Sequence, residues 1–202
     1  MCTGDCTKFI GVSLYPFCAL CMICNILLLF PGWSTDAVNN SRERLTPEVL
    51  YLGGLLGNGV LVLIPAICIQ YIGKRRTCIN RCGMLVSVIL AAVAVCGAIY
   101  GFVTSLLGLI NGPVCYYQFI NADPRWTAPF KLESEYTSLD RSYLFQREFW
   151  LRCMMPVGVV EFNVILFSTI MAASALQVVL CLIQVINGVF GCLCGTCQEK
   201  LQ

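Results

Sequence analysis

Histidine is absent from this chain of 202 residues, which removes both the commonest general base and the commonest metal ligand. Charge is scarce as well. Only 12% of residues are Asp, Glu, Lys or Arg, about half the share of an ordinary soluble domain. Neither sign dominates, because the formal net charge is +2, and no basic stripe interleaved with aromatics runs along a polar face. Nucleic-acid binding therefore has no footprint here. Apolar residues fill the space: 58% of the chain is hydrophobic and the mean hydropathy is +0.78. A soluble fold of this length needs far more polar surface.

The few charges partition the chain. Four runs are nearly free of them, at residues 9–30, 49–73, 83–111 and 157–190, the last holding the single acid Glu161. The shortest makes roughly 33 Å of helix, enough to cross the hydrocarbon. The expected fold class is an all-α membrane protein, a four-helix transmembrane bundle with a small disulfide-stapled outer domain in its second outer loop. Pro16 and Pro65 fall inside spans, where kinks are expected and neighbouring helices re-satisfy the backbone. The first run is longer than the apolar stretch of a signal peptide, and no small-x-small cleavage site follows Phe30, so it reads as a retained anchor.

Direction follows from the loops. The segment 74–82 holds Lys74, Arg75, Arg76 and Arg81 and no acid, which assigns it to the cytoplasm. With four spans, the termini 1–8 and 191–202 are then also cytoplasmic. The first outer loop, 31–48, is short and mixed in charge. The second, 112–156, balances five basic against five acidic side chains. It alone is large enough for a small outer domain, and a domain of that size ordinarily needs a staple.

The 15 cysteines sort by compartment. Only Cys115 and Cys153 lie in the outer loops, bracketing the large one. A disulfide between them constrains the unfolded loop by roughly 3–4 kcal/mol in the chain-entropy model. Cys2, Cys6, Cys78, Cys82, Cys192, Cys194 and Cys197 sit beside the cytoplasmic ends of spans, a pattern typical of S-palmitoylation. Zinc is the rival use of those thiols, but no CxxC pairs with a second at zinc-site spacing. Cys21 and Cys24 have redox spacing, yet within lipid nothing lowers a thiol pKa. They read as small packing residues. No catalytic residue set and no metal site emerge.

Polar and small residues inside the spans form the remaining signal. Glu161 is the only ionisable side chain within a run, and such residues are costly enough to suggest a role. Asn25 lies at similar depth in the first span, with Asn163 near. These three are candidates for a polar latch between spans one and four, or for contact with a lipid hydroxyl; the alternative is that Glu161 simply reaches the head groups. Gly53 and Gly57 make a GxxxG face in span two, and Gly97 and Gly101 a similar one in span three. Small residues let helix backbones approach in lipid, and internal packing is the expected use.

Several segments together resemble the L6 family of four-span, tetraspanin-like membrane proteins. They are Asn25 to Pro31, glycine-rich Gly53 to Ala66, Gly112-Pro113-x-Cys115, Glu161 to Ser168, and Cys181 to Gly188. The resemblance covers nearly the whole chain. Departures are Phe162 where the family carries Trp, Met154-Met155-Pro156 in place of Glu-Pro, and a cytoplasmic loop with only Cys78 and Cys82. The large loop has no glycosylation sequon; the one candidate, Asn39, falls in the short outer loop close to the membrane. The Cys-Cys-Gly of true tetraspanins is also missing.

The resemblance implies a scaffold or adaptor that associates laterally with integrins, growth-factor receptors and tetraspanin-rich patches, influencing adhesion, migration and proliferation, in a plasma or endolysosomal membrane. It brings no catalytic residues, so no enzyme is expected. The aromatic-rich large loop supports a binding role, with Tyr143, Phe145, Phe149 and Trp150 as candidate partner contacts. Three other functions compete with this one. A transporter or channel subunit needs several polar groups at one depth, and only Asn58 and Gln177 offer themselves. A thiol oxidoreductase needs a CxxC on the oxidising side, whereas Cys194 and Cys197 face the cytoplasm. A sterol or other lipid held between the helices would use Asn25 and Glu161 as its polar end; no other cofactor is expected.

Overall fold

The computed structural model describes residues 3–31, 44–74, 81–118, 123–134 and 143–194. Four helical stretches within them are long and apolar enough to cross a membrane. The first is α1 (Thr3–Leu28) and the third is α4 (Arg81–Asn111). The fourth, α6 (Val159–Cys194), has 36 residues, or about 54 Å, well beyond the hydrocarbon thickness. α1 runs through Pro16.

The second span is built differently from one uninterrupted α-helix. A short helix α2 (Pro47–Leu50) gives way to a π-helical segment, Gly53–Val60, and then to α3 (Leu61–Lys74), which runs through Pro65. Leu52 marks the change with a positive φ of 50°. The glycines of this segment leave little side-chain bulk to resist the wider π turn. Their absence of Cβ also lets other helices reach the backbone.

Each span packs against the next, and the fourth closes back onto the first, so the bundle is a ring of four with its most extensive seam between α4 and α6. One buried cluster fills the outer half of the bundle, with Cys24, Leu28, Val49, Leu109, Phe167 and Ile170 among its members. A second, with Ile10, Leu14, Cys18, Val62, Ala66, Ala94, Ala98 and Cys181, fills the other half. Small side chains are frequent in that second core, while many large ones, such as Ile23, Ile64, Ile89 and Ile186, point outward. That arrangement suits lipid, which solvates Leu and Ile as well as a protein interior does.

The glycines predicted to pack do so between spans two and three. A Cβ on Gly57 would stand 2.8 Å from the Gly97 carbonyl, and one on Gly97 would stand 2.8 Å from the Gly57 carbonyl. A Cβ on Gly101 would strike the Asn58 amide, and one on Gly53 the Thr104 hydroxyl.

The outer domain is small and partly extended. Strands β1 (Cys115–Tyr117) and β2 (Arg125–Thr127) pair antiparallel, with Tyr116 opposite Trp126. On its other side Tyr116 bridges to Met155, donating its N–H to the Met155 carbonyl and accepting from the Met154 N–H, both at 3.0 Å. A helix α5 (Pro129–Ser134) and a 3-10 turn (Arg147–Arg152) complete it. Its core joins Cys115, Phe130, Tyr143 and Cys153 to Val159 and Val160 of α6. Gly112 ends α4 at φ 67°, a left-handed conformation that glycine adopts freely; a Cβ there would also press on the Phe130 ring.

Candidate functional site

Two regions carry chemistry: the outer domain and a ladder of polar side chains inside the bundle. The outer domain is closed by the Cys115–Cys153 disulfide, whose partners lie 38 residues apart in sequence. The expected pairing is thus present. It ties the start of β1 to the segment entering α6.

Tyr143 is a correction to its assignment as a partner contact. Its side chain is buried and stacks on Phe130 with ring centroids 4.2 Å apart. Its hydroxyl donates to the Leu109 carbonyl at the top of α4. Burial pushes the phenol pKa up from its ordinary value, since a phenolate there would lose its hydration. Tyr143 therefore clamps the domain to the bundle. Trp150 is half-buried and donates its indole N–H to the Tyr143 carbonyl at 2.8 Å, with the Arg147 guanidinium 5.5 Å from its ring centre. Phe149 is half-buried, and Phe145 stands 74% exposed. Of the four aromatics, Phe145 is the one presented fully outward.

A second clamp joins the domain to the start of span two. Arg44 lies 5.0 Å from the centre of the Trp126 ring. The buried Glu48 carboxylate accepts a hydrogen bond from the Asn111 amide at 2.5 Å. The Thr46 hydroxyl accepts from the Val114 N–H at 3.4 Å.

Within the bundle, the Asn25–Glu161 latch, one of the three uses open to these residues, does not form. Glu161 is exposed in the first turn of α6, and no hydrogen bond among the described residues joins it to Asn25. Asn163, two residues further on, is buried instead. Depth alone suggested the pair, but two residues turn a helix by about 200°, so Glu161 and Asn163 face opposite ways. Asn25 is buried with its Cβ against the Gly54 position. The Oδ1 atoms of Asn25 and Asn163 have no hydrogen-bond partner among the described residues.

Deeper in the bundle, Asn58 donates to the Ser174 hydroxyl at 2.6 Å. Gln177 donates to the Asn58 carbonyl at 3.1 Å and to the Cys18 sulfur at 3.4 Å. With Gly101 seated on the Asn58 amide, all four spans meet at this node. Tyr15 of α1 donates to Gln70 of α3. Nearer the other end, Gln184 donates to Thr7 at 3.2 Å and to Ser87 at 3.3 Å, and Asn187 donates to Thr7 at 2.9 Å. The reading of the sequence missed Ser174, Gln184, Asn187, Thr7 and Ser87. Their signal was available: Asn163, Ser174, Gln177 and Gln184 fall on one three-four spaced seam of α6 with Cys181 and Gly188, all buried.

Cys6 is exposed and Cys192 half-buried near the corresponding helix ends. Cys82 and Cys194 fall on described helical backbone. Cys2, Cys78, Cys197 and Asn39 lie outside the described residues. Among the described residues, no group of three or more acidic, cysteine or histidine side chains is arranged to hold a metal.

The sequence model described as L6 membrane protein matches residues 1–198. Human transmembrane 4 L6 family member 5 is 40% identical over 205 residues, covering 99% of this chain and 98% of its own. Mouse transmembrane 4 L6 family member 4 is 37% identical, covering 98% of this chain and 95% of its own. Human member 1 is 36% identical, covering 100% and 98%. No solved structure matches the chain.

Proposed function

The chain belongs to the L6 membrane protein family, and from that premise we propose that it is a non-catalytic lateral scaffold, gathering adhesion or growth-factor receptors and tetraspanin-rich patches. In this reading both termini and the basic 74–82 loop face the cytoplasm, where Cys6 and Cys192 are positioned for acylation. The outer domain faces outward from a plasma or endolysosomal membrane. Through its partners the protein influences adhesion, migration and proliferation.

One observation carries the proposal: the outer domain is fixed to the bundle at several points and still holds an aromatic side chain out. The Tyr143–Leu109 bond, the Val114–Thr46 bond and Arg44 over the Trp126 ring restrain it, while Phe145 projects. A rigid platform with a projecting aromatic lowers the ordering cost of association and supplies a hot-spot residue. The test is co-precipitation of integrins and growth-factor receptors from mild detergent with the chain carrying Phe145→Ala, beside one whose residues 143–150 are replaced. Reduced recovery in both is expected. Recovery equal to the parent chain in both overturns the reading.

A second reading has its own observation. Buried Asn25 and Asn163 leave acceptor atoms without donors among the described residues in the outer half of the bundle, and a lipid hydroxyl would satisfy them. Sterol is the class to test. Photo-reactive sterol labelling that persists undiminished in an Asn25→Ala, Asn163→Ala double variant argues against it.

A further inference from the structure

We propose that the turn leading into the fourth span, residues 151–157, is a membrane-docking surface that rests its apolar side chains in the head-group layer and sets how the outer domain sits on the bilayer. The inference goes beyond the scaffold reading and does not depend on it, because lipid contact is measured without any protein partner.

The side chains concerned are unusually open. Val157 is 92% exposed, Leu151 86%, Met155 60% and Met154 51%. Four outward apolar side chains within seven residues would be a poor choice against water, and patches of this kind mark contact surfaces. Nor is their placement slack. The backbone at Met154 and Met155 is held by hydrogen bonds to Tyr116, and Cys153 between them and Leu151 is fixed by the disulfide. The fold directs these side chains outward from a pinned backbone.

Two spans independently fix their height. Val157 stands two residues before Val159, where α6 begins. Half-buried Phe162 and exposed Ile165 begin the outward apolar side of that helix, about 5 to 9 Å along the axis from its start. From the other side, Tyr116 holds Met155 and lies six residues beyond Ile110, the last outward apolar residue of α4. Both routes bring the turn to the rim of the apolar belt, where the head-group layer adds roughly 5–8 Å to the hydrocarbon on each side. The exposed carboxylate of Glu161 lies between the two levels, at a depth where an acid reaches water.

Lipid fits this surface better than protein does. It continues the belt already committed to lipid. Residues 151–157 include no acid that phosphates would repel. They also include no aromatic, whereas the aromatics that dominate protein hot spots, Phe145, Phe149 and Trp150, all precede them.

The test uses the full chain reconstituted into phosphatidylcholine vesicles, with photo-reactive p-benzoylphenylalanine replacing Leu151 or Val157 in separate preparations. Ile165 serves as the lipid-facing control and exposed Asp123 as the water-facing one. Formation of the Cys115–Cys153 bridge, followed by mobility without reductant, confirms that each outer domain is built; two probe sites guard against one failing this check. Lipid adducts at 151 and 157 approaching those at 165, and severalfold above those at 123, are expected. Adducts at the level of 123 while 165 labels strongly overturn the proposal. The same probes in native membranes give a second arm: protein adducts in place of lipid adducts at 157 also overturn it, in favour of a docked partner.

Discussion

Gly97→Ala is the sharpest perturbation of the bundle. The new Cβ would stand 2.8 Å from the Gly57 carbonyl oxygen and 2.8 Å from the Leu61 Cβ, while ordinary contact begins at 3.4 Å. Neither neighbour is the free end of a flexible side chain, so spans two and three must part by about half an ångström, in a packed interior where such insertions cost about 1–3 kcal/mol. Alanine's helix propensity offsets little of this. In a membrane the separated spans are already helical, so propensity acts nearly equally before and after association. Larger side chains extend the series, and Gly97→Val should cost more than Gly97→Ala. Ala92→Leu supplies the control, because Ala92 is exposed on the same helix and its added bulk enters lipid. The assay is thermal unfolding in mild detergent, repeated by reversible steric trapping in bicelles to obtain a free energy. If Gly97→Ala unfolds with the parent chain and with Ala92→Leu, spans two and three do not meet backbone to backbone and the seam is misassigned.

Tyr143→Phe removes the bond to the Leu109 carbonyl while keeping the stack on Phe130. Outer-domain stability should fall by about 1 kcal/mol, measured by the onset of limited proteolysis. The raised phenol pKa of Tyr143 means the folded state holds this proton more tightly than the unfolded one; stability is intact below the unfolded value of about 10 and declines above it. Tyr143→Phe should remove that part of the alkaline slope. Asn58→Ala and Ser174→Ala, measured singly and together by steric trapping, should couple by about 0.6 kcal/mol, the usual size of an interhelical hydrogen bond in lipid, and by no more than about 1.7; zero coupling would mean the 2.6 Å contact contributes nothing. Cys153→Ser should destabilise the outer domain by roughly 3–4 kcal/mol, seen as increased protease sensitivity at 143–157 with the spans still protected.

The crossings were legible because they depend on a one-dimensional property. A run without charge is either long enough for the hydrocarbon or not, and no packing detail alters that. The disulfide was legible for a similar reason, as the outer loops contain only Cys115 and Cys153. What failed needed rotation about a helix axis or burial within a loop. Asn25 and Glu161 were matched by depth, but the azimuth of α6 sends Glu161 outward and brings Asn163 inward. Tyr143 and Phe145 are two residues apart and equally aromatic, yet one clamps the domain and the other projects. Composition does not separate an interface aromatic from a core aromatic, since both are chosen for the same apolar area. The π-helical segment was hidden as well: five small or amide residues among Gly53 to Gly59 announce close packing, but the local winding emerges only from what packs against them.

The placement of polar groups bears on how such a protein can act. Asn58, Ser174, Gln177, Gln184 and Thr7 are all buried and bonded to one another or to neighbouring backbone and thiol groups across the spans. Groups bonded across the helices in this way hold the bundle together rather than lining a water-filled path, and a conduit would need them turned toward a shared lumen. Their use inside the bundle also fixes what remains outside. On the spans, contact with neighbours falls to the apolar faces of Ile, Leu and Val, which bind other helices hardly better than they bind lipid. Among the described residues, the part with directional chemistry beyond the apolar belt is the clamped outer domain, and in the proposed scaffold it supplies the selectivity among membrane neighbours. On the proposed scaffold reading, specificity follows from the domain's height and tilt above the bilayer, and the residues proposed to set height and tilt are those of the turn entering the fourth span.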